Sequence, residues 1–367
     1  MLKIEEYLNF CNNKSLINKK IFKKRKNPKI SIITPVYNKE STINRYLNSI
    51  QNQAFDDLEI IIIDDKSTDN SIKIIEEAEK VDKRIILIKN EKRKGTLISK
   101  NIGVFQSIGK YLLFVDPDDI ISENIINSLF ILAKENNFDL IRFKIYRGKG
   151  SLNIPWISYY LKSKIIYKSD IYYYLFYGFG KLFQLDFYIT NKLIKRNLFI
   201  IALNSINKYY LYQFMIDCED GLINFMLHKL SKSYFYIDKI GYYYILTNQS
   251  ITSKASNFKK RLKSNFLYLK YLYENTKNNN IEKKMSEFVF LDIISNHPNI
   301  INTLIIKACY INIFQKLSYD SKFYLNIINK YIKSEFISLK AKQIMRAIKK
   351  AIMRKKRFFK NHKKLKK

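Results

Sequence analysis

From Lys29 to about residue 145, short apolar runs alternate with amphipathic stretches, and this alternation predicts the first half of the fold. ISIIT (30–34) is a β-branched run closed by Pro35 and reads as a strand buried on both faces. Ser41 or Thr42 can cap the next segment, a helix with Ile43, Tyr46, Leu47 and Ile50 at 3.6-residue spacing. EIIII (59–63) predicts a second buried strand, and Asp69 can cap a helix running to about Val81. RIILI (84–88), a helix over 96–107, YLLFV (111–115), a helix over about 122–136 and the strand DLIRFKI (139–145) complete the series. Five strands buried on both faces and joined by crossovers of this length predict an α/β fold with a mostly parallel sheet and helices on both faces. Such sheets bind ligands beyond the carboxyl ends of their strands, so the residues just after each strand are where chemistry is expected.

After about residue 150 the alternation stops. Residues 150–250 are aromatic-rich and mixed, and 255–367 read as mainly helical. In the last segment Ile337, Ala341, Met345, Ile348 and Ile352 share one helical face, with Lys and Arg around the rest. At 367 residues, 47% hydrophobic and 15% aromatic, the chain has the length of about two domains and ample core material. Nine Gly and five Pro exclude collagen-like and Pro-rich architectures. No apolar run reaches 18 residues, and MLKIEEYLNFCNNK lacks the features of a signal peptide, which predicts a cytoplasmic protein. Cys11, Cys218 and Cys309 are odd in number and far apart, so reduced thiols are expected. They do not cluster with His228, His297 or His362, which disfavours a zinc site.

Charge changes the picture. The formal net charge is +34, from 66 basic and 32 acidic side chains, and its distribution is uneven. Residues 338–367 hold 14 Lys/Arg and 19–29 hold seven, with no acid in either stretch. Such an excess predicts an anionic partner: nucleic acid, an acidic membrane surface or a phosphorylated substrate.

Three strand ends carry polar groups that a core does not require: TPVYNKE (34–40), DDKSTDNS (64–71) and DPDD (116–119). In a parallel sheet these ends share one edge, so Asp65, Asp116 and Asp118 are expected to converge on one cleft. Converging carboxylates repel one another, a divalent cation offsets the repulsion, and carboxylates with Mg²⁺ or Mn²⁺ suit a substrate carrying a diphosphate. Each motif taken alone has a plainer reading, as a strand terminator, turn or helix cap.

Taken in order, TPVYN, IIDDKSTDNS, KGTLISKNIGVFQSIGKYLLFVDPDD, NKLIKRNLF (191–199) and CEDGLINF (218–225) resemble the family 2 glycosyltransferases of GT-A fold over roughly residues 29–250. The resemblance implies a nucleotide-sugar donor, UDP-linked by family likelihood, and inversion at the transferred sugar. It implies that Pro35 and Tyr37 line the base and ribose, that Asp65 hydrogen-bonds the base, and that Asn90 lies near the nucleotide. Asp118 corresponds to the metal ligand of the DxD pair, with Asp116 beside it and closer to the ribose. Asp220 corresponds to the base that takes the acceptor proton, and Lys192 faces the donor or acceptor region. Two departures stand out. Lys100 replaces the arginine of an Ala-Arg-Asn segment, keeping the charge without the bidentate fork, and KNEKRKGT (89–96) is longer and more basic than the usual loop.

The implied plan is a basic extension (1–28), a GT-A domain with a nucleotide half (29–150) and an acceptor half (151–250), and a helical region (251–367) ending in a basic amphipathic tail. The acceptor is a glycan, a lipid-linked sugar or a protein, and the tail is expected to meet an anionic membrane surface. A nucleic-acid-binding protein driven by charge is the alternative, disfavoured because RNP-type aromatics and zinc-finger spacing are missing. A catalytically inactive homologue is the other, opposed by the intact Asp116, Asp118 and Asp220.

Overall fold

The computed structural model describes residues 27–148, 163–167, 171, 188–245 and 258–276. The chain divides at Leu272 and Tyr273 into two units, and all elements below lie in the first, except that the last helix runs into the second. The aromatic segment 172–184 and the basic tail 337–360 fall outside the described residues.

The strands are β1 (Ile30–Val36), β2 (Leu58–Asp64), β3 (Ile85–Lys89), β4 (Tyr111–Phe114), β5 (Ile120–Ile121), β6 (Leu140–Gly148), β7 (Lys164–Tyr167), β8 (Lys192–Lys195) and β9 (Ser233–Ile245). The helices are α1 (Glu40–Gln51), α2 (Ser71–Val81), α3 (Thr96–Gln106), α4 (Ile125–Asn136), α5 (Arg196–Ser205), α6 (Lys208–Leu211), α7 (Glu219–Leu230) and α8 (Phe258–Thr276). The nine strands form one sheet in the order β3-β2-β1-β4-β8-β6-β9-β5, with β7 on β9.

Every residue of β1 and β2 is buried, as their unbroken apolar runs require. Ile30 and Ile32 pack with Ile43, Tyr46 and Ile50 of α1 on one side of the sheet. Ile33 and Ile63 point to the other side, against Gly103 of α3. Each such side chain contributes about 1.5–3 kcal/mol by leaving water, so the double-sided burial fixes the centre of the sheet.

The sheet is less parallel than its apolar runs predict. β1, β2, β3 and β4 pair in parallel, but β8 inserts antiparallel between β4 and β6. β6 is therefore not the neighbour of β4; it pairs in parallel with β9, and β5 and β7 add antiparallel edges to β9. The fold is thus a Rossmann-like α/β arrangement with a mixed sheet. The four-residue KLIK of β8 is too short for its periodicity to identify it as a strand.

Pro35 lies inside β1, opposite Ile63, and not at the strand's end. Its missing N–H would face β4, and β4 pairs with β1 only as far as Ile33, so no ladder bond is lost.

The helix starts also differ from expectation. Neither Ser41 nor Thr42 caps α1, which begins at Glu40. The two loops beyond β1 and β2 lie side by side and cap each other. Lys39 N donates to Ser71 Oγ (2.8 Å), Glu40 N donates to Asp69 Oδ2 (3.0 Å), and Asn70 N donates to Glu40 Oε2 (3.1 Å). Asp69 does satisfy the start of α2 through Ser71 N (3.0 Å), and it serves both helices.

Candidate active site

Parallel register carries the site residues to one edge. Val36 lies opposite Asp64, and Asp64 opposite Lys89, so the chain leaves β1, β2 and β3 in a row. β4 ends beside them, with Val115 N donating to Ile33 O (3.2 Å). Beyond these ends is a cavity of about 180 Å³ lined by Pro35, Tyr37, Lys39, Asp65, Arg93, Asp116, Asp118, Asp119, Phe214 and Glu219, among others. The expected convergence of Asp65, Asp116 and Asp118 on one cleft is present in the structure.

Asp65 is saturated by its own chain. Its Oδ1 accepts from Asn90 Nδ2 (2.9 Å) and Lys94 N (2.8 Å), and its Oδ2 accepts from Gly95 N (2.8 Å). Ser99 Oγ adds a longer bond to Oδ1 (3.3 Å). The carboxylate thereby fixes the basic loop before α3, and Gly95 makes the turn possible with φ +92°. Asn90 is buried in that bonding and is not among the residues lining the cavity.

The anchored loop presents Arg93, whose guanidinium lies 3.8 Å from the centroid of the Tyr37 ring and 5.5 Å from that of Phe214. Sequence reasoning missed Arg93 and Phe214; the basic length of KNEKRKGT was the available signal for the first.

The Asp116–Asp119 turn is held from two sides. From α1 and its cap, Lys39 Nζ donates to Asp118 Oδ2 (2.6 Å), Thr42 Oγ1 to Pro117 O (2.9 Å) and Arg45 to Asp118 O (2.6 Å). From β9, Tyr242 donates its hydroxyl proton to Asp119 Oδ2 (2.7 Å), and Ile245 N donates to Asp119 Oδ1 (2.9 Å). Asp116 N donates in turn to the Tyr242 oxygen (3.1 Å). Burial, helped by the Asp116 and Asp118 charges, pushes the Asp119 carboxyl up to about 8. Asp116 keeps 34% of its side-chain surface, yet the protein around its carboxyl withdraws water and raises it, and the Asp220 and Asp118 charges add to the rise against Lys100.

Lys100 is a further cation beside the site, 2% exposed and not among the lining residues. It donates to Asp220 Oδ1 (2.7 Å) and lies 3.9 Å from Asp116 Oδ1. Burial alone would lower its ammonium, but Asp220, Asp116 and Glu219 outweigh that and hold it above the ordinary lysine range. Asp220, bound to Lys100 and accepting from Ile189 N (3.4 Å), is not among the lining residues; its neighbour Glu219 is. Loss of water, with a further push from Asp220, raises the Glu219 carboxyl to about 7. Lys192 is fully buried and donates to Tyr188 O and to Asn191 Oδ1 (3.2 Å), away from the lining residues.

As a donor set, Asp116 and Asp118 fit a hard divalent ion: carboxylate oxygens from one turn, with a cavity in front of them for further oxygen ligands. Among the described residues no group of three or more His, Cys, Asp or Glu stands ready to hold an ion unaided. Among them too, no helix is long and apolar enough to cross a membrane.

Comparison with known proteins agrees with this geometry. The family model described as Glycosyl transferase family 2 matches residues 31–200. Glycosyltransferase GlyA of Streptococcus pneumoniae is 30% identical over 229 residues, covering 61% of this chain and 31% of that protein. The GalNAc(5)-diNAcBac-PP-undecaprenol beta-1,3-glucosyltransferase of Campylobacter jejuni is 33% identical over 127 residues, covering 34% of this chain and 41% of that one. The chain therefore spans less than half the length of these curated relatives. Among solved structures, S. aureus TarS 1–349 in complex with UDP-GlcNAc superposes with a TM-score of 0.57 at 18% identity, covering 83% of this chain and 81% of that one. That likeness is one of fold. The strand-end motifs, the mixed sheet that carries them and the family match lead to one conclusion: residues 31–200 are a family 2 glycosyltransferase domain.

Proposed function

We propose that the protein is an inverting glycosyltransferase of GT-A architecture, transferring sugar from a UDP-linked donor to a hydroxyl of a glycan, a lipid-linked sugar or a protein. The observation that carries this reading is the meeting of Asp65, Asp116 and Asp118 around one cavity, with Lys39 and Arg93 among them, in a domain of this family. The UDP-GlcNAc bound by TarS supports a UDP-linked donor, and the undecaprenol-linked acceptor in the name of the Campylobacter relative supports a lipid-linked one.

In this reading residues 29–150 serve the nucleotide, and the segments after them serve the acceptor. Pro35 and Tyr37 take the base and ribose, with Asp65 and Asn90 fixing the loop beside them. Asp116 and Asp118 would hold Mn²⁺ or Mg²⁺, which when bound neutralises charge developing on the leaving diphosphate. Arg93 and Lys39 bring positive charge to the same space, and Lys192 contributes through packing.

Two adjacent carboxylates compete for the role of base. Asp220 has the family position and accepts a hydrogen bond from the Lys100 ammonium. A second reading gives the proton to Glu219, which borders the cavity and is pushed up to about 7, where a base works well at neutral pH. In both, attack comes from the face opposite the diphosphate.

The test is release of nucleoside diphosphate from a panel of UDP- and GDP-sugars with glycan, lipid-linked and protein acceptors. Acceptor-stimulated release of UDP that needs a divalent ion is expected. No release and no binding across the whole panel would overturn the proposal.

A further inference from the structure

Lys39 has no part in the family motifs, yet it lines the cavity and pairs with Asp118. Its backbone is pinned: its N–H donates to Ser71 Oγ (2.8 Å), and its carbonyl accepts from Thr42 N (2.9 Å) and Ile43 N (2.8 Å) at the start of α1. Its side chain is aimed at Asp118, with Nζ 2.6 Å from Oδ2, and the two side chains are only 20% and 21% exposed. Thr42 and Arg45 from the same helix hold the backbone carbonyls of Pro117 and Asp118, so the turn cannot move away from the lysine.

We propose that Lys39 is a resident counter-ion of Asp118, which a divalent ion must displace, and which then turns to the donor's diphosphate. The inference rests on the reading of Asp118 as a metal ligand. The ammonium stabilises the carboxylate while the cavity holds no cation, and it keeps the side chain in one orientation. An incoming ion meets an occupied oxygen and a like charge a few ångströms away, so the free enzyme binds metal weakly. A diphosphate arriving with the ion gives the displaced ammonium a new anionic partner within reach of the same pinned backbone. Metal and donor then bind best together, each lowering the cost of the other.

Manganese binding to the full chain without donor, followed by electron paramagnetic resonance of the free ion, tests the proposal with no turnover involved. K39M and K39Q are two routes to removing the charge, and K39R keeps it. Loss of a like charge at this range is worth about tenfold or more in affinity. K39M and K39Q should therefore bind Mn²⁺ about tenfold more tightly than wild type, and K39R should match wild type. In the same proteins, UDP affinity at saturating Mn²⁺ should fall for K39M and K39Q. Unchanged or weaker Mn²⁺ binding by both neutral variants overturns the proposal, as does equal tightening by K39R. D118A separates the two levels: if it keeps metal-supported UDP binding, the metal reading itself has failed, whatever Lys39 does.

Discussion

At the scale of single residues, the Glu219–Asp220 pair divides two duties that the sequence cannot assign. Both carboxylates begin α7, but one borders the cavity and the other faces a buried ammonium. If Asp220 is the base, D220N should lose more than 100-fold in kcat with donor affinity retained, and E219Q should lose little. The reverse pattern assigns the proton to Glu219. Kinetics with paired calorimetric UDP titrations read the difference. Glu219 also predicts a pH effect on stability. A carboxyl near 7 in the folded protein and about 4.5 in the unfolded chain binds more protons when folded, so its contribution is full below 4.5 and is lost as pH rises through 7. E219Q lacks this titration, so its melting temperature relative to wild type should rise from pH 5 to pH 8. Scanning calorimetry at both values measures it; a constant difference excludes the raised carboxyl. The strand-end acids were legible beforehand because register alone brings them together. Lys39, Arg93 and the Glu219 environment were not, since each depends on where a long side chain turns.

At the scale of elements, α3 is the member the sheet tolerates least change in. Every residue from Leu97 to Gln106 is buried, and Gly103 lets the helix approach β1 and β2. A Cβ there would lie 2.5 Å from Ile33 Cγ2 and 2.8 Å from Ile63 Cδ1, both in fully buried side chains. G103A should therefore destabilise the domain by about 1–3 kcal/mol, seen as a lower urea midpoint at constant slope. The same helix carries Ser99 and Lys100, so the variant should also weaken UDP binding. Periodicity located α1 to α3 and the first four strands within a residue or two, and α4 within three, because runs buried on both faces leave a strong signal. It could not reveal β8, whose insertion is a matter of partners and not of pattern. Nor could it reveal the mutual capping of α1 and α2, since α1 takes its cap from the loop before α2.

At the scale of the whole molecule, the charge around the cavity and the net charge of the chain are opposite in sign. Among the charged residues that line the cavity, the acids Asp65, Asp116, Asp118, Asp119 and Glu219 outnumber the cations Lys39 and Arg93, whereas 14 of the 66 basic side chains crowd into residues 338–367. We propose that this tail brings the enzyme to an anionic membrane, each Lys or Arg near the surface contributing about 1 kcal/mol. The full chain should sediment with anionic vesicles at low salt, and less so at high salt or with neutral vesicles. Changing Arg354, Lys355, Lys356 and Arg357 together to Gln should weaken that binding more than tenfold. A full chain that stays in the supernatant with anionic vesicles at low salt removes the membrane from the account. The ladder of β1, β2 and β3 has a bearing on descent as well as on chemistry. Residues that leave paired strands side by side cannot be re-aimed singly, because a slip of one position turns a whole strand over. The groups from Phe214 to Glu219 stand on a loop and a helix start outside that ladder, where insertion and exchange disturb no register. Under the proposed function, lineages built on this frame are free to change what receives the sugar while keeping what delivers it. In a saturation-mutagenesis survey scored on donor hydrolysis, tolerated changes should be scarce at 35–37, 64–65 and 116–119 and common across 212–217.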